Sequence, residues 1–412
     1  MSKYLIIFFV LGIIFRLWFT NLVPQPFVFD QTEYQYFAQQ MLQKGLFAWS
    51  ARLYGYPLFL AIIYKLFGLG NFTSVAAVQA ILDSTTGILI YLIGRKIFKN
   101  KIIAIICCLV YLFNPFTASF ISLLLSEILT IFLMSLIAYL FVLFLEKKKT
   151  WIFLTLVILL GFIPQVRPSF LFYSIILASF LIYTVTRTKM FAWKLNKSLI
   201  FTLFYLIPFI YNVFGNWIYF RQVSPTTVDN LFVRELYISL YLPGRFSIHP
   251  KSTDVYPKEV QNLYNEYSSQ DQNNSRRAEV TKKYLNLSLQ KIVSDPAGFI
   301  LSRLKKTWYV WEKHFIFLYD QPENSLIDFL TYWGNNLFLL MATLGFICWR
   351  KAKSFAKYSL WGWFTLFTIF YISLIHAFSA TDERYSLPGY SLIFLFAVYG
   401  IWHIIKNIHK QR

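Results

Sequence analysis

The sequence predicts an all-α polytopic membrane protein, with about ten transmembrane helices, interfacial helices and a polar, largely helical outer segment. Three observations carry this. Charged residues make up 14% of the 412 positions and hydrophobic residues 57%, whereas a soluble domain carries about 25% charged residues. About ten apolar runs approach the roughly 20 residues that a membrane-spanning helix needs. Lysine and arginine gather where those runs end.

The first span covers residues 4–22, and the next convincing one covers 75–92. Others begin near Ile102, Leu129, Trp151, Ser169, Ser198, Leu326, Tyr358 and Leu387. Arg95, Lys96, Lys99 and Lys101 follow the second span, and Lys147, Lys148 and Lys149 the fourth. Arg187, Lys189 and Lys194 follow the sixth, Arg350, Lys351, Lys353 and Lys357 the eighth, and Lys406, Lys410 and Arg412 end the chain. The positive-inside rule puts all of these in the cytoplasm, with both termini. The opposite connections, 116–127, 165–168 and 380–388, are nearly free of Lys and Arg and belong outside.

The run 56–67 is too short to cross and Lys65 interrupts it, so it reads as an interfacial helix. Residues 31–43 read as a second one, with Tyr34, Phe37, Ala38 and Met41 at helical spacing. The chain then divides into an N-terminal membrane part (1–215) containing a first outer loop (23–73), an outer segment (216–325), and a C-terminal membrane part (326–412). In the outer segment, Val280, Tyr284, Leu287 and Ile292 predict an amphipathic helix. Asp295-Pro296 reads as the N-cap and first residue of the next helix. That helix carries Phe299, Leu301, Leu304 and Trp308 on or near one face, and Trp308, Tyr309 and Trp311 suit an interface belt.

The net charge of +20 comes from 39 basic and 19 acidic residues. In a soluble protein it would point to nucleic acid; here it is the charge of cytoplasmic loops, and no nucleic-acid partner is expected. Cys107, Cys108 and Cys348 lie in apolar runs and imply neither a disulfide framework nor a thiolate metal site. The first segment lacks a small-residue cleavage site and reads as a retained anchor. No repeat or low-complexity tract is visible.

This topology collects Asp30, Glu33, Arg52, Glu127, Arg167, His376, Asp382, Glu383 and Arg384 on the outer side. Carboxylates and guanidiniums at the lipid–water boundary suit transfer from a lipid-phosphate sugar, whose tail lies in the bilayer and whose reactive carbon lies at headgroup level. A carboxylate could take the acceptor's proton while arginines or a metal hold the phosphate. Each residue also has a plainer reading. Asp30 could be a solvated loop acid, Glu33 a helix-surface residue, and Glu127 an acid at a positive helix end. The arginines could anchor to headgroups, and His376 could be a structural hydrogen-bonding residue. Asp83, well inside the second span, is either functional or packed against a neighbouring helix.

Five stretches carry a family resemblance: FDQTEYQYFAQQM from Phe29, ARLYGYPLFLAIIYKLFG from Ala51, LLLSEILTIFL from Leu123, QVRPSFL from Gln165, and DERYSLPGYSLIFLFAVYG from Asp382. In this order and on one membrane face, they resemble landmarks of the GT-C superfamily of membrane glycosyltransferases, in the branch of protein O-mannosyltransferases and the aminoarabinose transferase of lipid A. Residues 216–290 match nothing in that pattern, and Asp30 is followed by Gln31 where the mannosyltransferases have a second acid.

The resemblance implies a GT-C type fold and an inverting transferase that takes sugar from a polyprenyl-phosphate carrier to an unidentified acceptor. It implies Asp30 as catalytic base or metal-associated acid and Glu127 as the second acid. Arg52, Arg167 and Arg384 become candidates for the phosphate, and Glu33, Tyr385 and His376 for other substrate contacts. A divalent metal is a candidate cofactor, with Asp30 and Glu127 as candidate ligands. The expected location is a bacterial inner membrane, with lipids around the chain and the active site on the outer face. The alternative is a polyprenyl-lipid or glycolipid transporter, which would use ionisable groups near the midplane, as Asp83 could be.

Overall fold

The computed structural model of the chain describes residues 3–187, 197–242, 257–268, 274–321 and 324–411. Lys189, Lys194 and Arg412, expected among the cytoplasmic cations, lie outside the described residues. Helices follow one another as α1 (Lys3–Thr20), α2 (Asp30–Lys44), α3 (Gly55–Phe67), α4 (Phe72–Ile97), α5 (Lys101–Leu112), α6 (Pro115–Ala118), α7 (Glu127–Lys147), α8 (Thr150–Val166) and α9 (Leu171–Arg187). Then come α10 (Lys197–Leu206), α11 (Ile210–Phe220), α12 (Leu231–Tyr241), α13 (Lys258–Ser268), α14 (Asn274–Ser294), α15 (Pro296–Tyr309), α16 (Ser325–Arg350), α17 (Lys353–Ala377) and α18 (Leu387–Gln411). No strand occurs among the described residues, so the chain is an all-α polytopic membrane protein, as its composition predicts.

Among the described residues, seven stretches are long and apolar enough to cross a membrane: Lys3–Thr20, Phe72–Ile97, Glu127–Lys147, Pro168–Thr186, Ser198–Phe220, Lys353–Ala377 and Glu383–Ile408. The other three expected spans differ. α16 has the length without the composition, and α8 has 17 residues. The span expected from Ile102 ends after 12 residues at Leu112, about 18 Å of helix. Asn114-Pro115 stops it: the residue before a proline is biased away from helical geometry, and the Asn114 side chain accepts from Phe116 N to start α6 instead. The turn-rich stretch 119–126 then leads into α7.

Local chemistry sets the helix starts. Asn71, Asn100 and Asn324 cap α4, α5 and α16 by accepting from backbone amides two or three residues beyond them. Asp295 accepts from Gly298 N at 2.9 Å and Pro296 opens α15, as the sequence predicts. α16 and α18 cross closely because both are glycine at the contact. A Cβ on Gly345 would overlap the Phe396 carbonyl, and one on Gly400 the Met341 carbonyl.

Asp83 has a partner that the sequence reading did not find. Arg16 on α1 donates from Nε to Asp83 Oδ2 at 2.6 Å, with both side chains fully buried. Arg16 also reaches the Leu112 and Gly12 carbonyls at 2.5 and 3.3 Å, and the Tyr111 hydroxyl donates to the other Asp83 oxygen. Each charge is thereby paired inside the apolar body, tying α1, α4 and α5 together.

α15 inverts the usual arrangement of a surface helix. Ile300, Leu301, Leu304 and Trp308 are exposed, while Arg303 and Lys306 are buried. Arg303 donates to Ser239 Oγ at 2.7 Å and to the Ala377 carbonyl at 2.7 Å. Lys306 donates to the carbonyls of Ser239 and Ser379, both at 3.1 Å. The two cations pin α12 to the end of α17. Of the three residues expected to form an interface belt, Trp308 is exposed on the outward apolar face, whereas Trp311 is buried and donates from Nε1 to Ser373 Oγ at 2.7 Å.

Two predictions follow from these buried charges. Arg16→Ala leaves Asp83 buried and unpaired and lowers stability by about 3–5 kcal/mol, while Arg16→Met with Asp83→Leu recovers most of it; thermal unfolding in detergent measures both. Burial, with Arg303 beside it, lowers the Lys306 amine from 10.5 to about 7. Between those values the unfolded chain binds the proton and the folded one does not, so this group makes stability rise with pH from about 7 upward. Lys306→Met should flatten that slope in unfolding curves taken from pH 7 to 10.

Candidate active site

A cavity of about 570 Å³ opens where α2, the stretch before α3, the start of α7, the end of α8 and the end of α17 meet. Asp30, Arg52, Glu127, Arg167, His376, Arg384 and Tyr385 all line it, so seven of the eight residues singled out in the sequence come together. Glu33 does not line it. Glu33 accepts from Arg52 Nε at 2.6 Å and aims that guanidinium, whose Nη2 donates to Asp30 Oδ1 at 2.6 Å.

Asp30 is the first residue of α2, where a carboxylate meets the positive end of the helix. Phe29 before it has φ 54° and ψ −131°, a region that costs a non-glycine residue roughly 1–3 kcal/mol and recurs at functional sites. Gln31, the residue after Asp30, is buried. It donates to the Pro26 carbonyl at 2.9 Å and accepts from Leu124 N at 3.1 Å, which joins α2 to the approach to α7. Gln79 holds the same approach by donating to the Ile121 and Leu123 carbonyls at 2.9 Å each.

Glu127 opens α7 and is buried. Its Oε1 accepts from Arg167 Nη1 at 3.3 Å and lies 3.8 Å from Arg384 Nε. Arg167 is delivered by the break at Pro168. Gly55 lets α3 approach there, since a Cβ on it would come within 2.6 Å of the Gln165 carbonyl.

Arg384 is the hub. It pairs with Asp30 at 3.3 Å and with Asp382 at 3.2 Å as well as facing Glu127. Its buried Nε has no hydrogen-bond partner of acceptable geometry. The 3-10 turn that carries it, Glu383–Ser386, is anchored from outside the cavity. Lys313 donates to the Glu383 carbonyl at 2.5 Å and to Ser386 Oγ at 2.8 Å, and His314 N donates to the Glu383 carboxylate at 2.7 Å. Glu383 therefore faces away from the site. Tyr385 lies beneath the Arg167 and Arg384 guanidiniums, 5.0 and 5.5 Å from ring centroid, and stacks on His376 at 4.5 Å. Nε2 of His376 is buried without a partner.

Burial raises the Asp30 carboxyl, but Arg52 and Arg384 outweigh it and hold the group well below the usual carboxylate range. Asp30 is thus ionised and doubly neutralised. The donor set suits guanidinium pairing rather than a resident divalent ion: both Asp30 oxygens and one of Glu127 already face arginines, and no group of three potential ligands occurs among the described residues.

Sequence reasoning missed the far wall of the cavity. Thr226, Thr227, Asp229, Asn230, Arg234 and Glu235 line it, all from the outer segment. Asn216 fastens their start by donating to the Ser224 and Thr226 carbonyls at 2.9 and 2.6 Å, and Asp229 N donates to the Ser50 carbonyl at 3.0 Å. The contact from Asp229 to Ser50 is long-range, and no motif in residues 224–235 marks them as part of a site.

The two kinds of arginine pair should separate on mutation. Arg384→Gln leaves buried carboxylates short of charge and costs about 3–5 kcal/mol, whereas Arg52→Gln, at a partly exposed pair, costs about 1 kcal/mol or less. Unfolding of the purified variants in detergent compares them.

Residues 54–213 match the family model described as dolichyl-phosphate-mannose-protein mannosyltransferase. That stretch holds α3 to the first turn of α11, and with it Glu127 and Arg167. No curated protein matches the chain in sequence. Among solved structures, the archaeal oligosaccharyltransferase AglB from Archaeoglobus fulgidus, in complex with an inhibitory peptide and a dolichol-phosphate, is similar at TM-score 0.49 and 12% identity. The similarity covers 100% of this chain and 51% of that one, so the chain spans about half of that protein's length. The family match, on an all-helical membrane chain, supports a GT-C superfamily glycosyltransferase.

Proposed function

We propose that the chain transfers a sugar from a polyprenyl-phosphate carrier to an acceptor hydroxyl at the outer face of the membrane, with inversion, and with Asp30 as general base. One observation carries the reading: two carboxylates and three guanidiniums, Asp30 and Glu127 with Arg52, Arg167 and Arg384, converge on one wall of a single cavity beside apolar spans. The family description of residues 54–213, which names a dolichyl-phosphate-mannose donor, supports the donor class. The lysines and arginines at the opposite helix ends support the outer face.

The acceptor oxygen bonds to the anomeric carbon while Asp30 takes its proton. The anomeric carbon–oxygen bond to phosphate breaks, and the electron pair leaves with the lipid phosphate. A single displacement from the opposite face inverts the centre. Arg167 and Arg384 hold the phosphate and meet the charge it gains, with Arg52 as a third donor. Glu127 orients Arg167 and Arg384. His376 Nε2, with Tyr385 behind it, offers a hydrogen-bonding group to the bound substrate. The step runs through no metal.

In the transporter alternative Asp83 would be free to carry charge, but it is paired with Arg16 inside the helix bundle.

The test is turnover of radiolabelled polyprenyl-phosphate sugars by purified protein, with membrane extract as the acceptor source and Asp30→Asn in parallel. The wild type consumes at least one donor, and the variant loses about 100-fold or more, the contribution of a positioned base. Equal turnover by both would remove Asp30 as the base, and no turnover of any donor by the wild type would sink the transferase reading.

A further inference from the structure

The cavity has two walls of different electrical character. On the membrane side, Arg52, Arg167 and Arg384 outnumber Asp30 and Glu127, an excess that suits a phosphate. The far wall is balanced. Asp229 lies 3.5 Å from Arg277, and Arg234 Nη2 lies 3.8 Å from Glu235 Oε1. Thr226, Thr227 and Asn230 add neutral polar groups to the same wall.

The first turns of α12 present the working pair. Asn230 caps the helix by accepting from Val233 N at 3.4 Å, and this fixes the turn that bears Arg234 and Glu235. Nε of Arg234 is buried and has no hydrogen-bond partner. Glu235 is about a third exposed and acts electrostatically on Tyr385 across the cavity. A donor lacking an acceptor therefore stands beside a carboxylate that accepts no hydrogen bond from it, their nearest approach being 3.8 Å. Two adjacent hydroxyls satisfy both at once: one donates to the carboxylate while its neighbour accepts from the guanidinium. An anionic group on Arg234 would instead meet Glu235 at close range.

We propose that Arg234 and Glu235 form the acceptor subsite, and that the acceptor it takes is an uncharged saccharide engaged through vicinal hydroxyls. The inference rests on the transferase reading above and adds the chemical class of its second substrate. It also gives the outer segment a role: the segment closes the cavity from the water side and selects what approaches the donor.

The test uses the full chain in detergent and saturation-transfer NMR with two probes, methyl α-mannopyranoside and inorganic phosphate. Wild type and Asp30→Asn show transfer to the glycoside. Glu235→Gln and Arg234→Gln each weaken it about tenfold, as expected for loss of one charge-assisted hydrogen bond, and leave the phosphate signal unchanged. Glu235→Asp recovers part of the binding, which a folding defect would not allow. Undiminished glycoside binding in both variants, or phosphate binding that depends on Arg234, overturns the subsite. Donor turnover on the same samples separates the two readings. Glycoside binding that depends on Arg234 and Glu235 in a protein that turns over no donor refutes the transferase and keeps the saccharide site. Normal turnover with a glycoside signal indifferent to the pair refutes only the subsite.

Discussion

A guanidinium buried beside a membrane must be surrounded by anions or it is not stable there, and Arg384 is where this chain meets that demand. The three carboxylates around it come from distant parts of the sequence: Asp30 at the start of α2, Glu127 at the start of α7, and Asp382 just before its own turn. None can shift without leaving charge uncompensated. The supports behind them serve the same constraint. Gln31 and Gln79 fix the approach to α7, and Lys313 with His314 grips the turn that carries Arg384. Most of these groups touch no cavity, yet each limits where the guanidinium can lie.

The way the fold is written into the sequence explains which parts could be read. Spans are legible because lipid leaves a helix no choice but to be long and apolar. Caps are legible because their chemistry is local, as at Asp295-Pro296. The shortening of α5 was also local, in Asn114-Pro115, but a hydropathy window averages across it. Pairings between distant segments were not legible. Asp83 stood out as a charge in an apolar run, and nothing in the sequence said that it met Arg16. The membrane-side residues of the site were found through landmarks repeated across a family. The far wall, where no landmark exists, was found only in three dimensions.

The outer segment is joined to the membrane body by polar groups facing inward and meets its surroundings with apolar ones. Arg303 and Lys306 grip carbonyls at the end of α17 while Ile300, Leu301 and Leu304 face outward. Such a helix would be unstable in water and is suited to lying along lipid. It thereby holds α12, and with it Arg234 and Glu235, at the level of the carboxylates.

On the proposed mechanism, the pairing around Arg384 also decides when Asp30 can act. While Arg52 and Arg384 both face it, the Asp30 carboxylate is stabilised and is a poor proton acceptor. A lipid phosphate entering between Arg167 and Arg384 offers a further anion to the same guanidinium. Its charge draws Arg384 away from Asp30, and the carboxylate becomes more basic as the donor arrives. Base strength and donor occupancy are then linked through one side chain, and by the reciprocity of such couplings whatever weakens the Asp30 pair also favours phosphate binding. A cavity wetted from the outer side has water as a competing acceptor at all times. A base that is quenched until the sugar phosphate is in place activates neither that water nor the acceptor prematurely. The three-carboxylate environment that looks excessive for folding alone is then the means by which chemistry waits for the donor.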